Sequence, residues 1–587
     1  MRNTYMLRGT LMLWDVMSWL AGVLSIFLLR YDLRLSTHFE RSLLVYAAVT
    51  IGVYLALAWV TKLHRTRYRI GSFSEVVMLM AITVGAGAAG AIITYLIRGA
   101  ESYPPAVGLF APPLAAVFML AGRTLIRGAR NYLRPTPKGT EAILVYGAGD
   151  RAEQLLTLIT NDPNSPYRVI GLIDDDPGKR NLRISGVKVL GNGEALEPII
   201  SESQISTVLV AISDPPPALM DRIVSTTAPL GVETLTLPPI TQIFGGGLRL
   251  QDVRKVDVAD ILGRRQVEID LPEVAKYIND KVVLITGAGG SIGSEIARQV
   301  HQLGARELVL LDRDESALHG VQLDIYHQGL LDTNDMVLCD IRDKEALRAV
   351  FETHHPDVVF HTAALKHLPM LEQYPEEGWK TNVLGSLNLL ELAAEYKVGT
   401  FVNISTDKAA DPTSVLGRTK RLAERLTAWH SAQTSGVFVS VRFGNVLGSR
   451  GSMLHTFRRQ IEDGGPLTVT HPDITRYFMT IPEACSLVIQ AGAIATSGEC
   501  MILDMGSPIK ILDVAKKMIA LSGKNIEIKF TGLRPGEKMH EILVASQEAD
   551  IRPHHPLISH VTVPALDPSE LEAEHAGAVA FNQKPSV

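Results

Sequence analysis

The chain has 587 residues, 46% of them apolar, with a formal net charge of −5 and a mean hydropathy of +0.15. That length exceeds one domain, and the hydropathy is too high for a chain lying wholly in water, most of the excess falling in residues 1–130. The weak negative charge argues against a nucleic-acid partner, and Cys339, Cys485 and Cys500, which form no CxxC pair, exclude a disulfide framework and fit a reducing compartment.

Four apolar stretches of membrane-spanning length come first: Leu11 to Leu29, Leu43 to Val60, Val76 to Ile97 and Pro105 to Ile126. They predict four transmembrane helices over residues 1–134. Arg2, Arg8, Lys62, Arg65, Arg67, Arg69, Arg123, Arg127, Arg130, Arg134 and Lys138 fall on one side, against Arg30, Arg34, Arg41 and Arg98 on the other. Positive residues stay inside, so both termini are expected in the cytoplasm. Asp15 lies within the first span, where an exposed charge is costly, and is expected to face other helices or the interface.

Pro135, Pro137 and Gly139 predict a short linker, after which Ala142 to Tyr146 reads as a strand running into Gly147-Ala148-Gly149-Asp150 and a helix. Further strands are expected at Val169 to Ile173, before Asp174-Asp175-Asp176, and at Thr207 to Ile212. Residues 135–262 are thus a Rossmann-like unit with a degenerate loop, for which nucleotide binding and a purely structural role stay open. A charged, helix-compatible connector follows from Val253 to Lys281.

Residues 263–544 carry the richest pattern. In Val282 to Arg298 an apolar run breaks at Gly287, Gly290 and Gly293 and resumes with helical spacing. Such a turn lets backbone approach a diphosphate, which the N–H groups and dipole of the new helix stabilise. The next strand, Glu307 to Leu311, ends in Asp312, placed to accept from a ribose hydroxyl; Arg313 follows and suits a 2′-phosphate, so NAD and NADP both stay open. Val358 to Phe360 precedes the small residues around Ala363, and Asn382 lies on the following helix, where its amide is positioned to hold backbone or water. The strand from Phe401 ends in Ser405-Thr406-Asp407-Lys408, at the sheet edge where doubly wound proteins bind ligands. Beyond it stands Leu416-Gly417-Arg418-Thr419-Lys420, where ordinary short-chain dehydrogenases have Tyr-x-x-x-Lys: the lysine is kept, the tyrosine absent. A tyrosine-based alcohol dehydrogenase or epimerase is therefore disfavoured. His354, His355, His554 and His555 occur as pairs without further ligand spacing, so no metal site is expected. Residues 545–587 are polar with weak periodicity and predict a loosely held tail.

The segments TGAGGSIGSE, HTAALKHLPMLE, NISTDKAADPTSVLGRTKR, VRFGNVLGSRGS and TGLRPGEKMHEIL resemble the membrane-bound nucleotide-sugar 4,6-dehydratases of bacterial polysaccharide biosynthesis, the CapD-like family of the extended short-chain dehydrogenase/reductase superfamily. The resemblance implies a four-helix transmembrane region and two α/β Rossmann-like domains, the second an extended short-chain dehydrogenase fold, with the catalytic domains in the bacterial cytoplasm and the spans in the inner membrane. It implies a UDP-sugar substrate, a tightly held NAD or NADP regenerated each turnover, and a homo-oligomer. By the same resemblance Gly287, Gly290, Ser291, Ile292, Gly293, Asp312, Arg313, Asp340, Ile341, Ala363 and Lys420 hold the cofactor. Lys366, Asn382, Arg442, Asn445, Arg450, Arg534 and Glu537 contact the substrate, and Thr406, Asp407, Lys408 and Lys420 are catalytic. Lys408 is then the base at sugar C5 and Asp407 the acid at the C6 hydroxyl, which requires burial and the nearby Lys420 to lower the Lys408 pKa. The activity expected is dehydration of UDP-N-acetylglucosamine to its 4-keto-6-deoxy derivative. Its rivals are a C5-inverting dehydratase, a UDP-sugar 4-epimerase and a membrane-anchored nucleotide-sugar-binding regulatory protein.

Overall fold

The computed structural model describes residues 2–30, 40–64, 72–99, 105–132, 141–162, 164–237, 249–257, 260, 271–329 and 334–579. The expected linker at Pro135, Pro137 and Gly139 and the basic flanks Arg34, Arg65, Arg67, Arg69, Arg134 and Lys138 lie outside the described residues. Two compact units divide the chain, 1–136 and 137–587.

The first unit is four helices, α1 (Arg2–Arg30), α2 (Glu40–Val60), α3 (Phe73–Arg98) and α4 (Pro105–Tyr132). Each contains an apolar stretch long enough to cross a membrane: Gly9–Leu29, Leu43–Val60, Phe73–Ile97 and Pro105–Ile126. Small residues let these helices touch. A Cβ on Gly22 of α1 would lie 3.0 Å from the Ala111 carbonyl of α4, and one on Gly90 of α3 would lie 2.1 Å from Thr50 Oγ1 of α2. Asp15 does face the other helices. It is fully buried, accepts from Tyr54 Oη at 2.7 Å and is bridged by Arg123 Nη1 and Nη2 at 2.6 and 2.9 Å. Arg123, counted from sequence among the basic residues of one side, is itself 1% exposed, and its Nε donates to Glu75 Oε1 at 3.0 Å. A buried carboxylate among apolar helices requires such a partner.

The second unit contains two mainly parallel sheets. The first runs β1 (Glu141–Tyr146), α5 (Asp150–Asn161), β2 (Tyr167–Ile173), β3 (Arg183–Ile184), β4 (Val187–Gly191), α6 (Leu196–Ser203), β5 (Thr207–Val210), α7 (Pro217–Thr227), β6 (Glu233–Thr236) and β7 (Arg254–Lys255). Its strand order is β3-β4-β2-β1-β5-β6-β7, with the two edge strands antiparallel. Arg254 and Lys255, expected in a connector, therefore close this sheet, and a helix, Leu271–Ile278, leads out of it.

The second sheet is built on β8 (Val282–Thr286), β9 (Glu307–Asp312), β10 (Met336–Leu338), β11 (Val358–His361), β12 (Thr400–Thr406) and β13 (Val437–Phe443). The order β10-β9-β8-β11-β12-β13 continues through strand Glu499–Leu503 to Ile558–Thr562 and Ile551–His555, the last two antiparallel. Strand β8 is buried at every residue because helices cover both faces. Val283 and Ile285 feed one core with Ile296 and Ala297 of helix Ser291–Gln302, while Val282 and Leu284 feed the other with Leu389 and Leu390 of helix Gly385–Glu395. The chain reverses its direction of travel across the sheet between β8 and β11, which opens a crevice at their carboxyl ends.

Among the described residues the expected tail is ordered as far as 579. Ile551–His555 and Ile558–Thr562 extend the sheet, and helix Leu571–Val579 packs Leu571 and Ala578 into the second core. Ser559 and His560 occupy buried strand positions, which masks the apolar alternation from a sequence reading.

Candidate active site

The crevice begins at the turn after β8. Gly287 has φ of +68°, and a Cβ there would lie 2.7 Å from Ala363 N; one on Gly293 would lie 2.3 Å from the Gly287 carbonyl oxygen. Only glycine fits either place. Helix Ser291–Gln302 then starts at Gly290, which offers no capping side chain, so its first N–H groups stay available to an anion. The fold brings Gly287, Gly290, Asp312, Arg313, Asp340, Ile341 and Ala363 together around one cleft, with Thr381 and Cys339 also lining it. Ser291 Oγ accepts from the Arg450 N–H at 3.0 Å, and Ile292 packs against the core.

Asp312 anchors the turn itself: Oδ2 accepts from the Gly289 N–H at 2.8 Å and Oδ1 from the Asp314 N–H at 3.0 Å. Asp340 is clasped by Arg342, which outweighs partial burial and holds its carboxyl below the usual range; Arg313 lies 3.7 Å away. Below the cleft His361 is fully buried, with Nδ1 2.8 Å from Thr286 Oγ1 and Nε2 2.8 Å from Ser386 Oγ. Burial and the Lys420 charge push its pKa down to about 3, so the ring stays neutral and ties β8 and β11 to a helix. Lys420, on helix Val415–Ser431, is 5% exposed; burial, opposed by Glu424, pushes it down to about 8.

At the end of β12 the chain turns through Asp407–Ala409. Thr406 Oγ1 donates to Asp407 Oδ1 at 2.9 Å, and Lys408 Nζ donates to the same oxygen at 2.9 Å and to Asn445 Oδ1 at 3.4 Å. Glu541 Oε1 lies 3.6 Å from Lys408 Nζ. Asp407 is fully buried and Glu541 5% exposed, and the second oxygen of each, Oδ2 and Oε2, has no hydrogen-bond partner among the described residues. Two acceptors are thus left over at the carboxyl end of β12. Burial alone would discharge Lys408, but Asp407 and Glu541 outweigh it and hold its pKa above the ordinary lysine value. The expected lowering by Lys420 is therefore corrected: the carboxylates dominate Lys408, while the Lys420 charge falls on His361. Leu416 is 5% exposed and clusters with Leu371 and Val415, against Leu365 and Leu368, so the place of the missing tyrosine is apolar.

Three of the residues expected to bind substrate are otherwise engaged. Arg442, on central strand β13, is fully buried: it donates to Glu424 at 3.1 and 2.8 Å, to Glu548 at 2.8 and 3.2 Å and to the Leu543 carbonyl at 2.8 Å. Asn382 is buried, its Oδ1 accepting from the Leu365 N–H at 2.8 Å and its Nδ2 donating to the Leu365 carbonyl at 3.0 Å and Thr419 Oγ1 at 3.2 Å. It positions backbone beside the cleft. Glu537 accepts from Arg476 at 3.0 Å and from the Arg534 N–H at 3.1 Å. Lys366, Arg450 and Arg534 are exposed, and Asn445 faces Lys408. Glu541, Glu424 and Glu548 were missed from sequence. The i to i+4 spacing of Lys420 and Glu424 on one helix was readable; the other two reach the site only through tertiary folding.

Residues 283–563 match the family described as "Polysaccharide biosynthesis protein", and residues 106–238 match that described as "CoA-binding domain". The chain is 38% identical over 521 residues to the capsular polysaccharide biosynthesis protein CapD of Staphylococcus aureus, covering 86% of either chain. It is 37% identical over 477 residues to the probable polysaccharide biosynthesis protein EpsC of Bacillus subtilis, covering 81% of this chain and 79% of that one. Over 277 residues it is 34% identical to a UDP-glucose 4-epimerase of Rickettsia canadensis, covering 46% of this chain and 79% of that one.

Proposed function

The chain belongs to the family of CapD- and EpsC-like polysaccharide biosynthesis proteins, and from that premise we propose that it is a membrane-associated UDP-N-acetylglucosamine 4,6-dehydratase. The observation that carries this reading is the buried Asp407-Lys408 ion pair at the end of β12, bordered by an apolar Leu416 in place of tyrosine. The glycine cradle fits a nicotinamide dinucleotide: the helix N-terminus behind Gly290 would hold its diphosphate and Asp312 a ribose hydroxyl. When bound, that group supplies the acceptor for hydride from sugar C4 and the donor that returns it at C6. Every other step falls to the protein.

Thr406 Oγ1, at the strand end, accepts from the C4 hydroxyl while it donates to Asp407 Oδ1. Lys408 rests as an ammonium and cannot abstract a proton in that form. Transfer of its proton to Asp407 Oδ1, along the 2.9 Å hydrogen bond, makes a neutral amine and a carboxylic acid together. Exclusion of water by a bound sugar favours that neutral pair over the ion pair. Lys408 Nζ then takes the C5 proton as the C6–O bond breaks, and Asp407 protonates the leaving hydroxyl, which departs as water. As hydride returns to C6, Lys408 gives the proton back to C5. One proton taken up from solvent, equal to the one released from the C4 hydroxyl in the oxidation, then restores the resting ammonium beside the carboxylate.

The test is to incubate the full-length protein in detergent with UDP-N-acetylglucosamine and follow mass and proton NMR. Loss of one water without net cofactor reduction is expected, and the C5 coupling separates retention from inversion. A second reading, 4-epimerisation, is favoured by the similarity to the Rickettsia epimerase. An unchanged mass with inverted C4 would establish it and overturn dehydration. Saturable binding without turnover would overturn both in favour of a regulatory protein.

A further inference from the structure

Oxidation at sugar C4 releases a proton as well as a hydride, and the groups that serve the elimination are not free to take it. Lys408 rests as an ammonium whose charge Asp407 and Glu541 share. His361 is neutral, but both its ring nitrogens are engaged in the core, by Thr286 and by Ser386. Where a phenol would serve stands the apolar Leu416. Lys420 is left.

Helix Val415–Ser431 turns this lysine toward the reacting end of β12. Gly417, Lys420 and Glu424 are spaced three and four apart and so share one helix face. That face lies on the strand exit at both its ends: a Cβ on Gly417 would stand 2.2 Å from the Lys408 carbonyl oxygen, and Glu424 Oε1 accepts from Ser405 Oγ at 2.6 Å. Lys420, between them, faces the step from Thr406 to Asp407. A long helical side chain leans toward the helix N-terminus, here to the level of Leu416.

Among the described residues Lys420 Nζ has no hydrogen-bond or ion-pair partner. The charged group one turn on, Glu424, is committed to Arg442, Arg421 and Ser405, and His361 on β11 is uncharged. Burial therefore outweighs Glu424 and brings Lys420 down to about 8, so about a tenth of it is free amine at neutral pH, against roughly one part in three thousand for an ordinary lysine. A free amine keeps two N–H groups with which to hold the cofactor and adds a lone pair.

We propose that Lys420, as a free amine, is the base of the C4 oxidation and itself replaces the missing tyrosine, an assignment that rests on the reading that the sugar is oxidised at C4. Thr406 Oγ1 receives the C4 hydroxyl proton and turns its own from Asp407 to Lys420 Nζ. The C4 O–H bond breaks, an N–H bond forms on Lys420, and the hydride leaves C4 for the bound dinucleotide, so a ketone remains. Lys420 then releases its proton to solvent, which supplies the one taken up at the end of the cycle.

The test mixes the full-length protein in detergent, loaded with NAD or NADP, with UDP-N-acetylglucosamine and follows the first reduction of the nicotinamide by stopped flow; calorimetry measures cofactor affinity separately. In the wild type the rate is expected to rise with pH and to level off above about pH 8. Lys420→Arg keeps the charge and the donors but cannot give up a proton, so reduction should slow at least about 10²-fold while cofactor affinity stays within about threefold. Added methylamine should speed Lys420→Ala at least about tenfold. Reduction by Lys420→Arg at the wild-type rate, a wild-type rate independent of pH, or variants whose defect disappears at saturating cofactor would overturn the base and leave Lys420 a cofactor-holding residue. No nicotinamide reduction by the wild type would instead overturn the C4-oxidation reading, and the base with it.

Discussion

Arg442→Met separates a structural arginine from a substrate-binding one. The guanidinium makes five hydrogen bonds, four to the carboxylates of Glu424 and Glu548 and one to the Leu543 carbonyl. Arg421 also bridges both carboxylates, at 3.0 and 2.7 Å, so two cations balance two anions. Methionine keeps the length of the stem and removes one charge, leaving two buried carboxylates to share Arg421. Stranding a buried charge costs about 3–5 kcal/mol, roughly 10²- to 10⁴-fold in the ratio of folded to unfolded protein. Urea-dependent proteolysis of the full chain in detergent reads that loss. Because Ser405 Oγ donates to Glu424 Oε1 at 2.6 Å, directly before Thr406-Asp407-Lys408, kcat is expected to fall while KM for the UDP-sugar stays within about threefold. Adding Glu424→Gln should restore part of the stability, with a coupling on the order of 1–3 kcal/mol. A variant as urea-resistant as the wild type, with KM raised tenfold or more, would refute this and return Arg442 to the substrate.

Asp407→Asn removes the acid for the C6 hydroxyl and is expected to cut dehydration by about 10²–10⁴-fold, whereas C4 epimerisation, which needs no such acid, would survive; NMR of the sugar products distinguishes them. Glu541→Gln removes one of the two carboxylates that hold the Lys408 pKa up. Activity that needs one proton shared by Lys408 and Asp407 is lost when that proton leaves, so the alkaline limb of kcat should move to lower pH; a limb that stays in place would separate Glu541 from Lys408. Gly293→Ala sets a Cβ 2.3 Å from the Gly287 carbonyl and forces the turn apart at a cost of about 1–3 kcal/mol. Calorimetric titration with NAD and NADP should show at least about tenfold weaker binding, and unaltered affinity would remove the turn from the cofactor site.

Local features were legible in the sequence. The four apolar spans were visible as composition, and the glycine turn and Asp312 were visible because strand, turn and helix are consecutive. Long-range pairings were not. Arg123 reads as a flanking charge until folding sets it against Asp15, 108 positions away. Arg442 reads as a substrate arginine because glycine-rich chain follows it; its place in a central strand buried on both faces was the overlooked signal, since such an arginine must find carboxylates. The C-terminal strand was hidden because His560 and Ser559 hold buried positions, and His560 is admissible there only through Glu499, 2.8 Å away on the neighbouring strand.

The same long-range placement decides the chemistry. Read alone, Thr406-Asp407-Lys408 is a lysine beside one carboxylate, and a lower lysine pKa is the simplest route to a base. Glu541, delivered from the C-terminal part of the chain, adds a second carboxylate and turns the lysine into a firmly held ammonium. A base is then obtained only by moving the proton within the group, and the nearest acceptor is Asp407, the residue that must be protonated to release water. One internal transfer prepares both partners, so the charge that opposes a free lysine base also keeps the acid and the base from being created separately.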